Sequence, residues 1–354
     1  MNRVVKLVDT TKISISIEPT PGVNPYFNQR LLVKVLQCGI CGSDLHYFRK
    51  GGLGSFKAMP MELGHECVGV VDEPNQNKVF KKGDLVAVEP NLPCGECEYC
   101  KMGRTNLCPN QHFLGVNNYI GGMRDYLPVN ESQLFKLPKK TNLDFAVMLE
   151  PFSVSLYAVE QTLKTNEEEH MPQPKICILG AGPIGVLCAY ACFISDIYME
   201  NIVLSDINVD RLELARKKID IPIKQRFKHF YGLKEHIEKK SLKPEITHVI
   251  DCAGTQESFD MALKILKPGG KLMLVGIPEV DYLMMNPHIA RIKELTILNC
   301  RRSNITLKET YTVAKKFQLE KLVTHHWQPE DAEHAFWTLS QYRDNCMKGV
   351  IKFG

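Results

Sequence analysis

The apolar positions of the chain change their period near its middle. Over the first 150 residues they come in short bursts. Ile13, Ile15 and Ile17 alternate with Ser14 and Ser16, the period of two that marks a half-buried strand. Leu31-Leu32-Val33-Lys34-Val35-Leu36, Val68-Gly69-Val70-Val71 and Leu85-Val86-Ala87-Val88 are more continuously apolar, and the last follows the turn Lys82-Gly83-Asp84. Glycines and prolines separate all of them, which predicts an irregular, β-rich domain.

After Pro151 short apolar strands alternate with helical stretches. Ile176-Cys177-Ile178-Leu179 precedes a glycine-rich turn and an apolar helix over 185–195. Ile202-Val203-Leu204, a helix over 209–218, Thr247-His248-Val249-Ile250, a helix over 256–266 and Leu272-Met273-Leu274-Val275 continue the alternation. This order predicts a parallel sheet covered on both faces, so the fold class is α/β. Leu295-Thr296-Ile297-Leu298 reads as a strand and 306–317 as a helix. The expected domains are 1–150, completed by 292–354, and 151–291.

Composition narrows the picture. The 354 residues exceed one comfortable core and predict two domains. With 44% hydrophobic and 24% charged residues and a formal net charge of +4, the chain reads as globular. Its densest basic run, Lys224 to Lys243, is interrupted by Glu235 and Glu238 and has no aromatic or glycine pattern beside it. That reads as a solvated face, so no nucleic-acid partner is expected. No leader pattern follows Met1 and no apolar run reaches the roughly 18–20 residues of a membrane span, so no membrane role and a cytoplasmic location are expected. Thirteen cysteines in such a compartment are core fillers, metal ligands or nucleophiles rather than a disulfide framework.

Gly180-Ala181-Gly182-Pro183-Ile184-Gly185 follows a strand and opens a helix, the context that makes G-x-G-x-x-G a dinucleotide signal. Gly180 suits the tight turn, Gly182 a close pyrophosphate and Gly185 close packing of helix on strand. Asp206, at the end of the next strand, can accept from a ribose 2′-hydroxyl and would repel a 2′-phosphate, which favours NAD over NADP. Arg211 lies five residues later and offers a phosphate a partner. Val275, Gly276 and Ile277 are further expected cofactor contacts.

Cys94, Cys97, Cys100 and Cys108 form C-x2-C-x2-C-x7-C in a polar segment. Four thiols at that density match a closed structural zinc site, with an iron–sulfur cluster as the rival. A second constellation is dispersed: Cys41 with Ser43 and His46, then Gly64-His65-Glu66, then Glu150 before Pro151. Cys41, His65 and a carboxylate would make a catalytic zinc site with one open position. Singly, His65 also reads as a hydrogen-bonded histidine, and Glu66 and Glu150 as surface acids.

The ordered set Gly39-Ile40-Cys41-Gly42-Ser43-Asp44-Leu45-His46, Gly64-His65-Glu66, the four-cysteine lobe and Gly180 to Gly185 resembles the zinc-containing medium-chain dehydrogenases over essentially the whole chain. Met148-Leu149-Glu150-Pro151-Phe152-Ser153-Val154 is similar to the sorbitol dehydrogenase branch with its polyol and sugar-acid enzymes. The resemblance implies a GroES-like catalytic domain and a Rossmann domain, with the site in the cleft between them. It implies two zinc ions per chain, Cys41 and His65 as firm ligands, and Glu66 or Glu150 as the third. It further implies a proton relay through Ser43 and His46, substrate contacts at Tyr47 and Arg302, and a homodimer or homotetramer.

Where the branch carries a tyrosine after the arginine this chain has Ser303, and Arg301-Arg302 would suit a carboxylate or phosphate on the substrate. The implied reaction is hydride transfer between a secondary hydroxyl and NAD, with zinc as Lewis acid. A threonine dehydrogenase and a non-catalytic binding protein of the same fold are the alternatives.

Overall fold

The computed structural model describes residues 1–22, 30–53, 56–57, 59–75, 79–116, 119–164, 174–218, 225–227 and 246–354. The basic run 224–243 lies outside them, apart from the strand Gln225–Phe227. The chain forms two compact units, Met1–Glu150 with Thr306–Gly354, and Pro151–Ile305.

The first unit is built on a seven-stranded sheet. Leu134–Lys136, Leu85–Val88, Glu66–Glu73, Arg30–Gly39, Lys348–Lys352 and Val323–Trp327 lie side by side in that order, and Tyr126–Asn130 also pairs with Arg30–Gly39. Arg30–Gly39 is central, and Leu31, Val33 and Val35, which share one face, are fully buried, while Lys34 on the other face is exposed. A separate sheet joins Asn2–Asp9 to Lys12–Glu18 and Met61–Glu62, and the alternation expected of 13–17 is realised in the second of these strands. Alternate strand residues and the helix Ala332–Ser340 share one apolar cluster.

The second unit is a six-stranded sheet whose neighbours are all parallel. Its order is Gln225–Phe227, Ile202–Ser205, Ile176–Leu179, Ile246–Asp251, Leu266–Leu274, Thr296–Asn299. That is the 3-2-1-4-5-6 order of a Rossmann fold, with the topological switch beside its first strand, Ile176–Leu179. Ile176–Leu179 and Ile202–Ser205 are buried throughout, as strands covered on both faces must be.

Three boundaries differ from the periodicity. The helix expected over 256–266 is Gln256–Ile265, and the next strand begins at Leu266 and runs through Lys267-Pro268-Gly269-Gly270, with a register shift against Ile246–Asp251. The helix expected over 306–317 is Leu307–Ala314, capped by the Thr306 side chain. Thr296–Asn299 is the last strand of the parallel sheet, so the return to the first unit comes at Thr306 rather than near 292. Among the described residues no helix is long and apolar enough to cross a membrane.

His248 is buried inside the parallel sheet, its Nδ1 2.7 Å from Thr247 Oγ1. Burial, reinforced by Lys271 and Lys267, pulls its pKa down to about 4. The unfolded chain therefore binds this proton more readily between about pH 6.5 and 4, and stability falls as pH drops through that window. Urea unfolding at pH 7 and pH 5 should show a loss of about 1–2 kcal/mol that His248→Asn removes.

Candidate functional site

Cys41 stands between the central strand Arg30–Gly39 and the helix Gly42–Lys50. The Asp44 carboxylate, fully buried in the first turn, accepts from Cys41 N at 3.0 Å and from Gly64 N at 3.3 Å. One side chain thus ties the Cys41 turn to the Gly64-His65-Glu66 segment. Gly64 has φ of 91°, and a Cβ there would press on Met123 and on Cys38 Sγ. Glu66 opens the strand Glu66–Glu73 and pairs with Gly39.

These connections bring Cys41, His65 and Glu66 together, with ligand atoms all within 4.8 Å of one another. His65 and Glu66 are 4% and 1% exposed, which removes the reading of Glu66 as a surface acid. Buried polar atoms normally find partners. Here Glu66 Oε1 has no hydrogen-bond partner, as a ligand of an ion would not. Asp44 Oδ1 lies 3.8 Å from His65 Nδ1, where a carboxylate orients a ligating imidazole. Burial alone would lower the His65 pKa, but Asp44, Cys41 and Glu150 outweigh it and hold it well above the usual histidine value.

Glu150, in the first turn of the helix Leu149–Leu163, is buried but is not in the three-residue group. Its charge reaches His65 and Lys348, and it reinforces the burial that pushes Glu89 up to about 8. Lys348, fully buried on the last strand, makes an ion pair with Glu66 Oε2. His46 and Tyr47 are buried on the helix Gly42–Lys50, and Ser43 is half-buried at its start.

The four-cysteine lobe closes on itself around the helix Glu98–Lys101, with Gly95 and Gly103 at φ of 80° and 74°. Its sulfurs approach at 3.4 Å (Cys94 to Cys108), 3.5 Å (Cys97 to Cys100) and 4.0 Å (Cys94 to Cys100). Tetrahedral Zn–S bonds of about 2.3 Å put ligand sulfurs about 3.8 Å apart. The spacing fits one ion, and it is too tight for a cluster whose irons stand between the thiolates. N–H groups of Glu96 and Cys97, then Cys108, pull the Cys94 thiol down to about 6. A thiolate ligand is favoured by such a shift.

In the second unit Gly180 adopts φ of 103°, and its N–H donates to Ser205 O at 2.7 Å. A Cβ on Gly185 would overlap Gly180 O, so the turn closes directly on the helix Pro183–Ile194. Asp206 is buried, with Oδ2 accepting from Ala181 N at 2.7 Å and Oδ1 from Asn208 N at 2.8 Å. Arg211 lays its guanidinium over Gly182, 3.3 Å from where a Cβ would stand. Val275 and Gly276 both donate to Asp251 O at 2.9 Å, and Gly276 abuts Gly254. Ile277 is exposed. Arg302 sits in this unit at φ of 53°, and the Ser303 hydroxyl donates to Ser153 O at 3.0 Å.

The alcohol dehydrogenase GroES-like domain profile matches residues 28–139 and the zinc-binding dehydrogenase profile residues 183–318. Sorbitol dehydrogenase of Bacillus subtilis is 30% identical, over 97% of this chain and 95% of the relative. The chain belongs to the zinc-containing medium-chain dehydrogenases. D-xylulose reductase A of Aspergillus oryzae is 31% identical over 92% of this chain and 90% of its own. An Escherichia coli oxidoreductase of unknown specificity superposes with a TM-score of 0.84 at 29% identity, covering 99% of both chains. The family's GroES-like and Rossmann parts are the two units described above, and the chain is an oxidoreductase of that family.

Periodicity and motif spacing did not single out Asp44, Gly39, Lys348 or Gly254, each of which meets a partner from another segment. Asp44→Ala removes the acceptor of two buried N–H groups and should lower unfolding stability by about 2–4 kcal/mol, measured by chemical denaturation.

Proposed function

We propose that the chain transfers hydride between the secondary hydroxyl of a polyol or sugar acid and NAD, giving a ketone, with two zinc ions per chain. The observation that carries this is the group of Cys41, His65 and Glu66, the last two buried, with Oε1 of Glu66 left without a hydrogen-bond partner. A thiol, an imidazole and a carboxylate suit a zinc that keeps one position open, whereas four thiols close the site formed by Cys94, Cys97, Cys100 and Cys108. Glu150 is the second carboxylate of the catalytic site and can exchange with Glu66.

Bound zinc would supply Lewis acidity towards the substrate oxygen. The nicotinamide would take the hydride, and the protein's task is to orient it. Ser43 takes the hydroxyl proton and His46 passes it on, a general-base role suited to an imidazole. Tyr47 and Arg302 are the substrate contacts. Pyrophosphate rests on the N-terminus of the helix Pro183–Ile194, near Gly180, Gly182 and Gly185. Asp206 selects NAD by its negative charge beside the ribose, with Arg211 over the turn and Val275 to Ile277 completing the pocket. The substrate class is supported by the relatives, sorbitol dehydrogenase and D-xylulose reductase. A homodimer or homotetramer goes with this reading.

NADH formation at 340 nm should be followed with polyols, sugar acids and threonine, and zinc counted in each protein. Cys41→Ala should lose one of two zincs and at least ~10³-fold in kcat/KM, since the metal's charge stabilisation amounts to several kcal/mol. Failure of every substrate with both NAD and NADP, in a protein holding two zincs, would sink the dehydrogenase reading. Cys97→Ser should lose the other zinc and lower the thermal midpoint while the remaining folded enzyme keeps its KM.

A further inference from the structure

The strand Ile246–Asp251 flanks the topological switch of the second unit, and it ends in a carboxylate that is 1% exposed. Burying a charge is costly unless donors answer it. Burial pushes the Asp251 pKa up, and the Ser258 hydroxyl with the N–H groups of Gly254 and Ala253 pulls it back. Oδ1 accepts from Ala253 N at 2.9 Å and from Gly254 N at 3.1 Å. Oδ2 accepts from the Ser258 hydroxyl at 2.8 Å, in the first turn of the helix Gln256–Ile265. The main-chain oxygen of the same residue takes the N–H groups of Val275 and Gly276. Asp251 therefore pins three segments: the Ala253-Gly254 turn, the start of a helix, and the chain leaving the strand Leu266–Leu274.

Two of those segments meet main chain to main chain. A Cβ on Gly254 would stand 2.8 Å from Gly276 C, and one on Gly276 would stand 2.6 Å from Gly254 N. The Gly180 turn reaches the same place, its own Cβ position 3.2 Å from Ala253 N. The carboxyl ends of Ile176–Leu179, Ile246–Asp251 and Leu266–Leu274 thus form a shelf of bare backbone, which a flat ring and a ribose can approach closely. Gly180 to Gly185 and Asp206 belong to the half of a Rossmann sheet that takes the adenosine and the pyrophosphate. The shelf belongs to the other half, over which such a sheet lays the second nucleotide.

We infer that Asp251 is a positioning residue for the nicotinamide half of the cofactor: its carboxylate fixes the Ala253-Gly254 turn and its carbonyl fixes Val275-Gly276, so that the shelf is rigid before the cofactor arrives. This rests on the dinucleotide reading of the second unit. Without the carboxylate two N–H groups lose their acceptor, and the turn has to be ordered on binding. That cost falls on a ligand that covers the shelf and spares one that stops at the pyrophosphate.

The test compares NADH with ADP, which carries the adenosine and the pyrophosphate but no nicotinamide riboside, in calorimetric titrations of the full chain. Asp251→Ala should weaken NADH binding about 10–50-fold, the effect of leaving buried donors without an acceptor. The same variant should bind ADP within about twofold of wild type, since the first half of the sheet is untouched. Asp251→Asn keeps Oδ1 as the acceptor of both N–H groups and turns an amide towards the Ser258 oxygen, so it should bring NADH back to within about threefold of wild type. An unchanged NADH affinity in Asp251→Ala, an equal loss for ADP, or an Asp251→Asn as weak as Asp251→Ala overturns the inference. If Asp251→Ala does not fold, Ser258→Ala takes its place, because it frees Oδ2: a loss of about threefold or more for NADH with ADP unchanged supports the inference, and any other pattern overturns it. If the wild-type chain binds neither NADH nor ADP, the dinucleotide reading itself fails and the role of Asp251 falls with it.

Discussion

The constraint on which the first unit turns is the concentration of negative charge below its surface. Asp44, Glu66 and Glu150 are all buried, with the half-buried Cys41 beside them. Like charges drawn together at low dielectric repel strongly, and each has also lost its water. Such a pocket forms only if counter-charges and N–H donors are built in. Asp44 is answered by two N–H groups and faces His65. Glu66 is answered by Lys348. Each answering group comes from a different segment, so the sheet of the first unit is as much a device for balancing charge as for burying apolar side chains.

The lobe of Cys94, Cys97, Cys100 and Cys108 solves the same problem differently. Its four thiols come from one short segment and need no distant partner to meet. That is why their spacing was legible in the sequence, as was the Gly180 to Gly185 turn with Asp206 after the following strand. Both constellations are local, and local geometry follows from spacing. His65 and Glu66 had no such guarantee. Their proximity to Cys41 depends on pairing Glu66–Glu73 with Arg30–Gly39, and only likeness to a family suggested it.

What stayed illegible has one physical cause. Lys348 and Glu66 are separated by nearly the whole chain, and nothing in the run Lys348-Gly349-Val350-Ile351-Lys352 distinguishes a buried ammonium from a solvated one. Gly39 likewise reads as a strand end, and its need to be glycine arises from Glu66 filling its side-chain space. Leu295-Thr296-Ile297-Leu298 reads as a strand in either unit, and its parallel pairing with Leu266–Leu274 assigns it to the second. Alternation fixes which face of an element is apolar, but partner choice depends on contacts between elements remote in sequence.

This remoteness bears on how the site comes to exist. Lys348–Lys352 lies between Arg30–Gly39, to which it is antiparallel, and Val323–Trp327, to which it is parallel. Long-range pairings of this kind close late, because loop entropy is lost before any contact forms. Until this strand is in place the Glu66 carboxylate has no ammonium beside it. The arrival of the final strand therefore does more than complete a sheet: it sets the Lys348 ammonium against Oε2 of Glu66 and so fixes one oxygen of that carboxylate. Fold completion and competence of the site are thereby the same event.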